Sequence, residues 1–181
     1  MIVHCEISDV TVECVQGDIT DQAGFDAVVN AANAQLRPGG GVAGAIHAAA
    51  GPSLYEECRP LAPIGTGEAA ITGGGNLPNP FVIHALGPVY ASESQPARQL
   101  ARAYRNSLLL AEEHHLESVA FPALSTGAFG YPLEEAARVA MTTVAEMAEE
   151  LSHVRRIRFV LHDREALRVH EMALKDILGN S

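Results

Sequence analysis

The sequence predicts an α/β domain with a largely parallel sheet and helices on both faces. Short apolar runs of strand length alternate along the chain with longer stretches in which apolar residues recur at helical spacing. Glycine and proline residues separate the two kinds of segment. The chain has 181 residues, of which 48% are apolar, and can bury a substantial core, so we expect one domain over residues 1–181.

Seven apolar runs are predicted to be strands. The run from Val10 to Val15 alternates, which places Val10, Val12 and Cys14 on one face. The run at residues 2–7 is expected at an edge of the sheet. The other predicted strands are residues 27–29, 68–72, 81–85, 118–121 and 156–161.

Helices are predicted between these strands from apolar residues at helical spacing. The clearest stripe begins after Pro132, which we expect at the first helical position, and reaches Leu151 after about five turns. Asp163 is expected to cap the last helix. The other predicted helices are the segment containing Val42 and Ile46, residues 53–59 and residues 97–115.

The charge distribution argues against nucleic acid as a partner. The formal net charge is −10, and the basic residues cluster only at Arg155, Arg156 and Arg158. No apolar run approaches the ~20 residues that cross a bilayer, and the N-terminus lacks a basic segment followed by an apolar one. We therefore expect a cytoplasmic protein without a membrane partner.

Cysteine and histidine usage predicts no metal site. The three cysteines, Cys5, Cys14 and Cys58, are odd in number and have no C-x-x-C spacing, so we expect reduced, buried thiols rather than disulfides or a zinc site. His84 lies in an apolar strand, which favours a hydrogen-bonded core residue, and His47 is expected to pack. His114 and His115 are neighbours at a predicted helix end, where a solvated or dipole-stabilising role is expected.

Residues 27–51 are the most informative stretch. A predicted buried strand is followed by Asn30 and Asn33, and then three glycines, 39–41, lead directly into a helix. Such glycines leave the unpaired N–H groups of a first helical turn unobstructed, where the helix dipole favours an anion. This pattern is typical of a phosphate or pyrophosphate site. The alternative is a flexible turn that binds no ligand.

A second glycine loop, Ser125-Thr126-Gly127-Ala128-Phe129-Gly130, also follows an apolar strand and precedes a helix. Two such loops could close on one ligand from both sides. Because the overall negative charge opposes a diphosphate, we expect binding to come from backbone donors in these loops.

Other phosphate-site and catalytic motifs fit less well. Gly39, Gly41 and Gly44 satisfy G-x-G-x-x-G, but a dinucleotide-binding domain needs the first glycine directly after the strand, and residues 30–38 intervene. No Lys-Ser/Thr follows the glycines, which excludes a P-loop. Ser125 lacks the G-x-S-x-G turn of serine hydrolases.

Together with Gly17-Asp18-Ile19-Thr20, these two glycine loops resemble the macrodomain family, whose members bind ADP-ribose. The resemblance covers the chain from about Val10 to Asp163, with three motifs in the family's order. It implies a three-layer α/β/α sandwich with a mixed sheet of about six strands. It also implies ADP-ribose or an ADP-ribosylated protein as the partner, no cofactor, and a monomer.

The resemblance also assigns site residues. It places Asp18 on the adenine, where an ionised carboxylate accepts from the exocyclic amine, with capping of the turn after the strand as its alternative role. Asn33 matches the asparagine on the distal ribose, while Asn30 is expected to be a structural turn residue. Phe129 matches the aromatic beside that ribose, with loop packing as its alternative role. The further ligand contacts expected are Ile19, Gly40, Gly41, Val42, Ser125, Thr126, Gly127 and Ala128.

The family contains readers that only bind ADP-ribose and hydrolases that remove it. MacroD-type hydrolases continue Gly-Gly-Gly-Val-Asp-Gly, and their Asp is proposed to help activate water. This chain has Ala43 at that position, as do viral macrodomains that are nonetheless associated with hydrolysis. We expect a hydrolase of acyl-linked ADP-ribose or O-acetyl-ADP-ribose in which Asn33 and the diphosphate orient water, with a non-catalytic reader as the alternative.

Overall fold

The computed structural model describes residues 1–179 and contains one sheet of seven strands, in the spatial order β1-β2-β7-β6-β3-β5-β4. Each strand lies where the apolar runs predict one, within two residues at either end. The strands are β1 (Val3–Ile7), β2 (Val10–Gln16), β3 (Ala27–Ala31), β4 (Ala69–Gly73), β5 (Phe81–Ala85), β6 (Ser118–Phe121) and β7 (Arg156–Leu161).

The sheet is mixed and largely parallel, as predicted, but it has seven strands rather than about six. The five central strands run parallel to one another. The edge strands β1 and β4 are each antiparallel to their neighbour. Strand β1 joins β2 through Ser8 and Asp9, both at positive φ (48° and 66°), the geometry of a tight hairpin turn.

Residues 1–179 contain five α-helices, of which four lie between strands and the fifth follows β7. They are α1 (Gly41–Ala50), α2 (Pro52–Cys58), α3 (Pro96–Glu113), α4 (Leu133–Met147) and α5 (Arg164–Ile177). Pro132 precedes α4 rather than occupying its first position, and the α-helix ends at Met147, where a 3-10 turn begins. Leu151 lies beyond that turn yet is 4% exposed, because it packs with the same apolar stripe.

Apolar residues form a core on each side of the sheet, which gives the three layers. Helices α3, α4 and α5 cover one face, and α1 and α2 cover the other. Within β3, Val29 faces the first core and Val28 the second, as the two-residue period of a strand requires. Cys14 and Cys58 are buried free thiols, but Cys5 is only half-buried because it lies on the edge strand β1.

Side-chain carboxylates complete the main-chain bonding at two places. Asp163 caps α5 by accepting from the N–H of Ala166 (2.8 Å), which confirms the predicted cap.

No helix within residues 1–179 is both long and apolar enough to cross a bilayer.

The carboxylate of Glu112 accepts from the N–H groups of Ser152 (3.0 Å), His153 (2.9 Å) and Val154 (2.7 Å). Burial alone would raise the pKa of this carboxyl, but these hydrogen bonds outweigh that effect, and the net pKa is below its usual value. A carboxyl with a lowered folded-state pKa adds stability above its unfolded pKa, and this contribution is lost as the pH falls through the folded value.

Glu112→Gln is therefore expected to lower the free energy of unfolding at neutral pH by roughly 1 kcal/mol, because the carboxylate is partly solvated. At an acidic pH below the lowered pKa of Glu112, the difference from the parent should shrink, because the carboxyl of the folded parent is then protonated. Urea unfolding at both pH values measures this, with the exposed neighbour Glu113→Gln as control. An equal loss at both pH values would mean that the ionised form of Glu112 contributes nothing.

Candidate functional site

The candidate site lies where the five parallel strands end. Parallel neighbours place their carboxyl ends at one edge of the sheet, and open α/β sheets bind ligands there. Main-chain bonds tie the loops at this edge together: Gly17 donates to Leu161 (3.0 Å), and Ala32 donates to Ala85 (2.9 Å). The structure thus brings the three sequence motifs to the same edge.

Asp18 is exposed just beyond β2. Its Oδ1 accepts from both the N–H (2.8 Å) and the hydroxyl (2.7 Å) of Thr20, and these two bonds lower the pKa of the carboxyl. The main-chain oxygen of Asp18 also accepts from Gln22 Nε2 (2.8 Å). Asp18 does cap its turn, but only through one oxygen, so Oδ2 of an ionised carboxylate is left as an acceptor. Thr20 belongs to the same motif, but the sequence pattern does not predict its contact with Asp18.

Ile19 follows Asp18 but turns away from solvent. Its side chain is 7% exposed and packs in the core beneath α1 and α2, together with Phe25 and Val160. Any contact of Ile19 with a ligand is therefore confined to its main chain and a small edge of the side chain.

Asn33 organises the loop between β3 and the first glycines. Its Oδ1 accepts from the N–H of Arg37 (2.9 Å), and its Nδ2 donates to the carbonyl oxygen of Arg37 (2.9 Å). A Cβ at Gly39 would lie 3.3 Å from Asn33 Nδ2, so the glycine allows the two segments to approach closely. Each end of an amide can make a second hydrogen bond, and Asn33 keeps that capacity.

The first glycine loop forms the N-terminus of α1. Gly40 is the residue before the helix, and Gly41 begins it with a φ of +55°, a left-handed value that favours glycine. A Cβ at Gly40 or Gly41 would meet no atom within 4 Å. Val42 follows in the first turn, half-buried against the second core. The unpaired N–H groups of this turn therefore lie beside open space.

The second glycine loop has a strained start and open glycines. Ser125 has a φ of 66°, unusual for a residue with a side chain, and its buried Oγ has no hydrogen-bond partner within residues 1–179. A Cβ at Gly87 would clash with that oxygen. The hydroxyl of Thr126 bonds back to Ala123 (3.0 Å). A Cβ at Gly127 would meet no atom within 4 Å, so this loop also borders open space.

The far end of the second loop is held by a residue that sequence reasoning missed. The N–H of Tyr90 donates to the carbonyl oxygen of Phe129 (2.9 Å), and the Tyr90 ring packs on Tyr131 at 4.8 Å between centroids. Phe129 is half-buried and Ala128 is exposed. The sequence Gly87-Pro88, shortly after β5, could have pointed to Tyr90, because the loop that begins there leaves a parallel strand at the same edge of the sheet.

A buried polar cluster lies beneath α1. Asn30 is not a turn residue: it lies within β3, is 1% exposed, and its Nδ2 is 3.1 Å from Nδ1 of His84 on the neighbouring strand β5. Nε2 of His84 lies 3.0 Å from the Thr72 hydroxyl and 3.6 Å from Cys58 Sγ. The prediction that His84 is a hydrogen-bonded core residue is confirmed.

Burial controls ionisation in this cluster. Desolvation, with a smaller contribution from the charge of His47, lowers the pKa of His84 to about 3, so its imidazole is neutral. Burial also lowers the pKa of His47 and raises the pKa of Cys58 to about 11. The three residues present one donor atom each, all within 4.8 Å of one another, and they are the metal-ligand cluster found within residues 1–179.

The sequence profile of the Macro domain matches residues 29–140. The chain belongs to this family. A macro domain-containing protein of Chlorobaculum tepidum is 48% identical over 167 residues, covering 92% of this chain and 96% of the relative. A Salmonella typhimurium protein named O-acetyl-ADP-ribose deacetylase is 47% identical, covering 90% and 93%.

Solved macrodomain structures match the fold. The Oceanobacillus iheyensis macrodomain with ADP superposes with a TM-score of 0.94 at 37% identity, covering 100% of this chain and 98% of the other. The Trypanosoma brucei macrodomain in complex with ADP-ribose gives a TM-score of 0.84 at 36% identity, covering 90% of this chain and 68% of that one. The predicted three-layer macrodomain fold is confirmed.

This macrodomain has no acid at the third residue of α1. Ala43 is 5% exposed, and its Cβ lies 3.9 Å from the position that a Cβ at Gly39 would take. Its methyl group therefore fills the space behind the first glycine loop and cannot take a proton.

Proposed function

We propose that this macrodomain binds ADP-ribose where the parallel strands end, and that it releases ADP-ribose from acyl-linked mono-ADP-ribosylated proteins or from O-acetyl-ADP-ribose. The observation that carries the proposal is the pair of glycine loops, since positions 40, 41 and 127 all border open space. A relative named O-acetyl-ADP-ribose deacetylase and solved relatives with ADP or ADP-ribose support it.

In the proposed complex, each part of the ligand meets a different loop. The adenine amine donates to Asp18, whose Oδ2 is not used by Thr20. The diphosphate accepts from N–H groups at Gly40, Gly41 and Val42 on one side and from the segment 125–128 on the other. Phe129 and Asn33 flank the distal ribose. The net charge of the chain is −10, so the anion is bound by these neutral main-chain donors and not by a basic patch.

The proposed reaction uses positioned water rather than a strong base. Ala43 is apolar, and His47 is buried with a lowered pKa. Asn33 keeps one lone pair and one N–H beyond its bonds to Arg37, and with the diphosphate it holds water near the anomeric carbon. For an acyl-linked protein, the water oxygen bonds to that carbon, the bond to the acyl oxygen breaks, the carboxylate leaves, and the proton lost by the water passes to solvent. Positioning alone can supply several kcal/mol, about 7–11 in favourable cases.

The proposal is tested by incubating the parent protein, without added metal, with a target ADP-ribosylated on glutamate. We expect ADP-ribose to be released over time at a rate above that in buffer. O-acetyl-ADP-ribose is the second substrate to assay. A protein that binds ADP-ribose in calorimetry yet releases nothing from either substrate would not be a hydrolase.

A second function, a reader that binds ADP-ribose without turnover, is favoured by one observation. Ala43 replaces the acid of the MacroD-type glycine run. In that case the same loops hold the ligand, and the missing base leaves the bound linkage intact. The release assay separates the two functions.

Asp18→Ala is expected to weaken ADP-ribose binding by about ten- to a hundredfold, the loss of one charge-assisted hydrogen bond of roughly 1.5–3 kcal/mol. Asp18→Asn should also weaken binding, although its Oδ1 can still accept from Thr20, because the other end becomes a donor facing the adenine amine. Calorimetry with ADP-ribose and with the inosine analogue measures both affinity and base selectivity.

The exposed neighbour Asp21→Ala is the matched control and should bind as the parent does. If Asp18→Asn binds ADP-ribose as tightly as the parent while Asp18→Ala does not, Asp18 acts only as the turn cap. Parent-like binding by both variants would remove Asp18 from the site altogether.

A further inference from the structure

We propose that His47, Cys58 and His84 form a binding site for a copper(I) ion in the layer beneath α1. This site is independent of the proposed ADP-ribose cleft and of its chemistry. Its ligands come from three elements: His47 from α1, Cys58 from the end of α2, and His84 from β5.

The donor atoms are already close to ligand spacing. Cys58 Sγ and His84 Nε2 are 3.6 Å apart, the separation that two ligands reach when metal bonds are about 2.0–2.3 Å long. The rings of His47 and His84 have centroids 6.3 Å apart, and the three donor atoms lie within 4.8 Å of one another. A small inward shift of His47 would complete a three-coordinate site.

A second observation points to an occupant. His47 is 6% exposed, and neither ring nitrogen has a hydrogen-bond partner within residues 1–179. Oδ1 of Asn30, in the same cluster, is also buried and unpaired. Buried polar atoms are nearly always satisfied, so the two unpaired ring nitrogens of His47 require an explanation. A metal ion at the three donors would use one lone pair of His47.

Charge balance selects copper(I) among the soft metal ions. One thiolate with two neutral imidazoles carries a single negative charge, which a monovalent ion cancels. A zinc ion would leave a net positive charge among buried residues, and uncompensated buried charge is costly. Glu57, the acid whose charge acts on Cys58, is exposed on α2 and does not supply a buried counter-charge. Thiolate and imidazole in a two-His, one-Cys set are also ligands that suit copper.

Outer contacts hold one ligand in orientation. Nδ1 of His84 is engaged by Asn30 (3.1 Å), which turns Nε2 toward Cys58 and toward the Thr72 hydroxyl. For Nε2 to bind the metal, Nδ1 must carry the ring proton, so on binding the Asn30 amide must turn to present Oδ1, its unpaired oxygen, as the acceptor of that N–H. On binding, copper(I) replaces the thiol proton of Cys58, the proton leaves to solvent, and no electron is transferred.

The test is an anaerobic titration of the full chain with copper(I) held by a chromophoric chelator. We expect the parent protein to withdraw one copper ion per chain, slowly because Cys58 and His84 are fully buried. Cys58→Ser, which is nearly isosteric, should withdraw none. Cys5→Ser, which changes a thiol outside the cluster, should behave as the parent. Copper should also raise the melting temperature of the parent and of Cys5→Ser only.

ADP-ribose affinity, or circular dichroism if no affinity is found, shows that each variant is folded, and Cys58→Ala is the second variant if Cys58→Ser does not fold. Copper left on the chelator by the parent protein would overturn the proposal. Equal withdrawal by parent and Cys58→Ser would place the copper elsewhere and overturn it too. A site that takes zinc in preference to copper(I), tested with a zinc indicator, would contradict the charge argument.

Discussion

Gly127→Glu is expected to abolish measurable ADP-ribose binding while the protein remains folded. A Cβ at this position meets no atom within 4 Å, and Gly127 has no left-handed φ, so the backbone accepts a side chain without strain. In the complex, however, the new carboxylate would occupy the space of the diphosphate. Two like charges about 4 Å apart repel by about 4 kcal/mol at a protein surface, which corresponds to roughly a thousandfold in affinity.

Gly40→Glu tests the other loop on the same grounds, because its Cβ position is also open and its φ is −84°. Gly41→Glu is a poorer choice, since the φ of +55° would add strain to any loss of binding. Gly127→Ala is the size control: it adds a methyl group to open space without charge and should weaken binding much less. ADP-ribose binding retained by both folded glutamate variants would disprove the two-loop arrangement.

Asn33→Ala is expected to lower turnover of an acyl-linked substrate by about a hundredfold or more, because misplaced water reacts slowly. Affinity for ADP-ribose should fall less, as for a group that acts mainly in the transition state. Asn33 also holds the loop through Arg37, so some loss of affinity is expected from that bond alone. Single-turnover rates and calorimetry on the same preparations give both quantities.

The companion variant is Ala43→Asp. It should raise the rate or leave it unchanged, provided the carboxylate fits the space now filled by the Ala43 methyl beside Gly39. A parent protein that binds but does not turn over, together with an Ala43→Asp variant that does, would identify this macrodomain as a reader. If Asn33→Ala reduces affinity as much as turnover, Asn33 serves only to hold the ligand or the loop.

Local sequence determined much of this macrodomain. The seven strands, the cap at Asp163 and the start of α1 at the glycine run were all predictable, because each depends on residues that are neighbours in the chain. The convergence of three loops also followed, since parallel strands end at one edge. Position 43 was recognisable as the departure from the hydrolase pattern.

Only the tertiary structure decided the partners of single side chains. Asn30 was expected in a turn but lies in β3 beside His84, a residue 54 positions away, because β3 and β5 pair in register. His47, Cys58 and His84 lack the spacing of a sequence motif, yet α1, α2 and β5 bring them together. The left-handed backbone of Ser125 and the hydrogen bond from Tyr90 to Phe129 likewise became visible only in the tertiary structure. The reason is physical: periodicity specifies which face is buried, but strand register and helix packing determine which atoms meet there.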